Sequence, residues 1–231
     1  MYKKLKPIWD QKISQSIPKY YKGIINEDFN NLAVAIENEN IDYLTDLIEL
    51  LLSGNFVQFN NVFDDSFLKS VIDNSSAFNN ESSKTFPRMV DGCPNFYFNQ
   101  IEDLSKQGDK YRTLDGSRYY FPWNEDGINI FSKVNYFWRN IRILSGHDPY
   151  SYENNIPSDK VINRIHIIQY YAGGGTISPH YDSHVHQYIQ IGCVLNEYGK
   201  DFQEGGFCAF DEKDNPVFLE PELKKGSLFC F

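Results

Sequence analysis

The spacing of the apolar residues changes along this chain, and no single kind of secondary structure accommodates both periods. Ile41, Leu44, Leu47, Ile48, Leu51 and Leu52 recur every three or four positions. That spacing gathers them on one face of an α-helix, and Gly54 follows as a stop. Ile189, Ile191, Cys193 and Leu195, within Tyr188–Leu195, recur every second position. That is the period of a strand with one buried face. The change falls near Pro157. Before it, Asp64 or Asp65 can cap a second helix carrying Phe67, Leu68, Val71 and Ile72. A third helix is expected over Ile130–Leu144, whose stripe includes Val134, Phe137 and Ile141 and precedes Gly146. After it, Val161–Tyr171, Phe207–Phe210, Val217–Leu219 and Leu228–Phe231 are short apolar runs. Turn signals at Gly173-Gly174-Gly175, Glu204-Gly205-Gly206, Asp214-Asn215-Pro216 and Lys225-Gly226 separate them. The pattern predicts an α+β chain whose C-terminal half is a sandwich or barrel-like roll.

Composition narrows the function classes. A 41% hydrophobic share in 231 residues can fill a core, so a disordered chain is excluded. Four scattered cysteines without a CxxC pair exclude a disulfide scaffold and a zinc ribbon. A net charge of −9 gives no reason to expect nucleic acid or an anionic membrane as partner. The apolar run Leu47–Leu52 is far shorter than the ~20 residues that span a bilayer. Pro7 and Asp10 interrupt any secretory pattern behind the basic start, and a soluble, cytoplasmic protein is expected. The polar, aromatic-rich stretch Ser75–Asp126 shows no clear period and is expected to be a covering loop or to hide strands.

The chemistry-bearing candidate is Pro179-His180-Tyr181-Asp182-Ser183-His184-Val185-His186. In an extended chain alternate side chains share a face, so His180 and Asp182 are expected side by side on a strand. An imidazole and a carboxylate so placed suit two adjacent positions on one metal ion, with a second histidine from elsewhere completing a facial triad. The plain alternative is a His–Asp hydrogen bond on a strand edge, since a lone His-x-Asp is common by chance. A zinc site using His180, His184 or His186 is a further alternative, weakened by the lack of a nearby cysteine. Four ligands along one strand cannot converge, because positions i and i+4 are ~13 Å apart. His184 and His186 are therefore read as lining a mouth or facing solvent, His166 as a packed or hydrogen-bonded core histidine, and His147 as a turn residue.

The segment from Ile168 through Tyr170-Tyr171, Gly173-Gly174-Gly175 and His180-Tyr181-Asp182 resembles the 2-oxoglutarate/Fe(II)-dependent oxygenases, in their prolyl-hydroxylase-like branch. Three further stretches follow in the order seen in that family: Tyr188–Asn196, Glu204-Gly205-Gly206-Phe207, and Pro221 with Lys225–Phe231. The resemblance covers roughly Ile165–Phe231. It implies a double-stranded β-helix over residues 61–231, with residues 1–60 as a helical segment packed on it. It implies Fe(II) held by His180 and Asp182, and 2-oxoglutarate as cosubstrate. Tyr170 or Tyr171 would bond the cosubstrate, and Arg164 is a candidate partner for its carboxylate. The implied reaction is hydroxylation by O₂ of an amino acid, a peptide or a small metabolite, with release of succinate and CO₂.

The chain departs from the family pattern at its end. The distal iron-binding histidine and the basic residue that anchors 2-oxoglutarate are expected after the Gly226–Phe231 segment, and no histidine follows His186. The oxygenase domain is accordingly read as incomplete at its C-terminus, and the chain as given as inactive. A β-roll binding module that has lost its metal site is the alternative from a different class.

Overall fold

The structure, a computed structural model, describes residues 1–13, 20–81, 88–90, 93–94, 97–100, 113–182 and 185–231. Its helices are α1 (Tyr2–Ile13), α2 (Phe29–Glu37), α3 (Ile41–Leu52), α4 (Asp65–Glu81) and α5 (Ile130–Leu144). The strands of the first half are β1 (Gly23–Glu27), β2 (Asn55–Phe59), β3 (Arg88–Val90), β4 (Cys93–Pro94), β5 (Tyr97–Gln100), β6 (Thr113–Leu114) and β7 (Gly116–Tyr120). Those of the second are β8 (Ile165–Gln169), β9 (Thr176–Ile177), β10 (Ile191–Cys193), β11 (Cys208–Phe210), β12 (Pro216–Phe218) and β13 (Leu228–Cys230). The chain is thus α+β, as its two periods require. No helix among the described residues is long and apolar enough to cross a membrane.

The chain divides into two compact units. The first comprises Met1–Leu68, Asn135–Pro149 and Ser183–Phe231. Its frame is a mixed sheet in the order β1-β2-β13-β10, with β1 parallel to β2 and the other neighbours antiparallel. Alternation along the two central strands supplies two cores, one on each face. Val57, Phe59, Leu228 and Cys230 belong to a core shared with Leu5, Trp9, Leu32, Leu44, Leu47, Ile48, Ile141 and Leu144. Phe56 and Phe229 belong to the other, with Val194, Leu219 and Leu223. The helices that cover the first face obey local rules. Asp28 caps α2 by accepting from the Asn30 N–H at 2.8 Å, and Asn40 caps α3 by accepting from the Tyr43 N–H at 3.2 Å. Leu44, Leu47 and Ile48 then fall on the inner side of α3. Trp9 of α1 donates its indole N–H to the Leu144 carbonyl at 2.8 Å.

The second unit comprises Lys69–Val134 and Tyr150–Asp182. Its largest sheet is β5-β7-β8, antiparallel throughout, beside the pairs β3-β4 and β6-β9. Strand β7 is its buried centre: Ser117, Arg118 and Tyr120 are all 5% exposed or less. The Tyr120 hydroxyl donates to Asn74 Oδ1 at 2.7 Å, and Asn74 donates to the Asp126 carbonyl at 2.9 Å. The Asp126 carboxylate accepts from the N–H groups of Ile128 and Ile130, which fixes the start of α5.

Several sequence expectations hold. Helices α3 and α5 lie where the periods put them, and Asp64 caps α4 by accepting from the Phe67 N–H at 2.8 Å. The stretch Ser75–Asp126 does contain strands, β3 to β7, in its described parts. One placement is corrected. His180 and Asp182 follow β9, which ends at Ile177, and do not lie on a strand. Pro179 brings no N–H to a ladder, so pairing cannot run on through this segment.

Candidate metal centre

The route to the His180–Asp182 pair is set by the turn before it. Strand β8 leads into Tyr171–Gly175, closed by the Gly175 N–H donating to the Tyr171 carbonyl at 2.9 Å. Gly173 and Gly174 take φ of 87° and 145°, where a side chain would be strained, and a Cβ at Gly175 would lie 2.5 Å from the Tyr171 nitrogen. The glycine run is therefore demanded by the tightness of the reversal. Strand β9 then pairs with β6, Thr113 opposite Ile177, and the chain leaves that ladder at Ser178.

His180 and Asp182 lie side by side, with Nε2 of the ring 3.5 Å from Asp182 Oδ1. The other ring nitrogen, Nδ1, is 2.8 Å from the Ser178 carbonyl oxygen. A carbonyl can only accept, so Nδ1 carries the proton and the lone pair of the neutral ring is on Nε2. In the neutral ring that lone pair faces a carboxylate oxygen; in the protonated ring an N–H does. A proton or a cation between them relieves that opposition. Both side chains are partly exposed, at 33% and 45%. Tyr181, between them, is 79% exposed.

The remaining predicted site residues are distributed differently. The Tyr171 ring turns back over β7: a Cβ at Gly116 would lie 2.3 Å from its hydroxyl and 3.3 Å from Arg118 Nη1. Tyr170 is 43% exposed. The Arg164 guanidinium stands 4.7 Å from the centre of the Tyr119 ring, a cation–π contact. His166 stacks on the same ring at 4.3 Å and lies 2.8 Å from the Ser117 hydroxyl. Ser117 donates in turn to Asp115 at 3.1 Å, so His166 donates through Nε2. Burial, and then the Arg164 charge, hold its pKa down to about 4. His166 is the hydrogen-bonded, packed histidine that its position on β8 suggested. His147 sits after α5 with Nδ1 3.0 Å from the Ser145 carbonyl, in the turn expected of it. His186 is exposed, and His184 lies outside the described residues.

The sequence reading missed the buried polar set on β7. Arg118, 2% exposed, and Asp115, 4% exposed, flank Ser117 in the second unit. The signal available was an arginine inside the aromatic run Gly116-Ser117-Arg118-Tyr119-Tyr120, too weak to separate from an exposed cation. No group of three or more metal-binding side chains occurs among the described residues. Comparison with known proteins finds no family model, no curated protein and no solved structure that matches this chain.

Proposed function

We propose that this chain carries the first two iron ligands of an Fe(II)/2-oxoglutarate-dependent oxygenase, within a double-stranded β-helix. The observation that carries the reading is the approach of His180 Nε2 to Asp182 Oδ1, with Nδ1 engaged by the Ser178 carbonyl. Two donor atoms at ~2.1 Å from an octahedral ion and 90° apart lie about 3 Å from each other, close to the separation here. A hydrogen bond from the second ring nitrogen to a backbone carbonyl is the arrangement that orients metal-bound histidines. The donor set, one imidazole and one carboxylate, suits Fe(II). The reading requires a third donor, and no group of three metal-binding side chains occurs among the described residues.

Bound ferrous iron with 2-oxoglutarate supplies the O₂-dependent oxidation. His180 and Asp182 hold the ion from one side, and Ser178 fixes the ring's rotation and tautomer. Tyr171, packed beside Gly116, is the better placed of the two tyrosines to be held rigidly; Tyr170 is open to solvent. Arg164 is engaged with Tyr119 and is the weaker candidate for the cosubstrate carboxylate. The substrate class is an amino acid, a peptide or a small metabolite. The four free cysteines accord with a cytoplasmic setting.

The test is anaerobic titration of the complete natural chain with Fe(II) and 2-oxoglutarate, read by visible absorption. A charge-transfer band present in the wild type and lost in His180→Ala supports the reading. Absence of the band in both overturns it and leaves the β-roll binding module that has lost its metal site.

A further inference from the structure

We draw no further inference here: the strongest candidate, the buried side-chain cluster on β7 where the Arg118 guanidinium and the Tyr171 hydroxyl approach Gly116, carries nothing, because Tyr171 belongs to the site already described and nothing among the described residues shows a cavity that reaches the cluster.

Discussion

His180 Nε2 lies 3.5 Å from Asp182 Oδ1, while the opposite ring nitrogen holds the Ser178 carbonyl. A bare histidine–carboxylate ion pair needs the ring protonated, and a metal pair needs it neutral. The two states respond differently to Asp182→Asn, which keeps the shape and removes the charge. Under the oxygenase reading, the substitution lowers affinity for Mn(II), used as a spectroscopic stand-in for Fe(II), by about 100-fold. Electron paramagnetic resonance of the complete chain reads free Mn(II) directly. Equal affinity in wild type and variant would show that the pair is an ion pair only.

His166 gives a pH prediction with a definite sign. Its folded pKa is about 4 against an ordinary 6.5, because it is buried and faces the Arg164 charge. Above about pH 6.5 both folded and unfolded chains hold it neutral, and the fold carries no penalty. As pH falls from 6.5 towards 4 the unfolded chain takes up the proton and the fold does not, so stability is lost, by roughly 3 kcal/mol in all. His166→Gln keeps an N–H for Ser117 and does not titrate. Urea unfolding at about pH 7 and about pH 4.5 should show a smaller acid loss in the variant. Identical losses would mean that the fold does not hold this ring neutral.

The sequence made α5 readable because its stripe from Ile130 to Leu144 is long and Gly146 ends it. It hid α1, whose pattern is interrupted by Pro7, and it hid β1 and β2. Those two strands pair in parallel, Gly23 with Asn55 through Glu27 with Phe59, so neither has a hairpin to announce it. The adjacency of His180 and Asp182 was legible because side chains alternate in any extended segment, paired or not. That they lie off the strand was not, since the alternation of residue types does not show where the ladder ends, and β9 stops at Ile177.

Gly226 fastens the turn before β13. Its carbonyl accepts from the Val62 and Phe63 N–H groups at 3.1 and 3.0 Å, and its N–H donates to the Val194 carbonyl at 2.9 Å. It has φ +75°, and a Cβ there would lie 2.4 Å from the Phe63 carbonyl oxygen. Backbone on both sides leaves little room to yield. Gly226→Ala is expected to cost at least about 2 kcal/mol. A fall in the urea midpoint at unchanged slope checks this; an unchanged midpoint would show that the turn relaxes.

Cys230 offers a probe of the same sheet from the inside. It lies on β13, between β2 and β10, is 1% exposed, and packs in the core beneath α1, α2 and α3. Burial pushes its thiol pKa well above the ordinary range, and alkylation requires the thiolate. Cys208, on the two-stranded β11–β12 pair, is only half-buried. Iodoacetamide should therefore label Cys208 at least about 100-fold faster than Cys230 in the folded chain, with the two rates converging in denaturant. Peptide mass spectrometry after timed quenching resolves the two sites. Comparable rates without denaturant would mean that β13 is released in local openings, and that the central sheet is not the most stable part of the first unit.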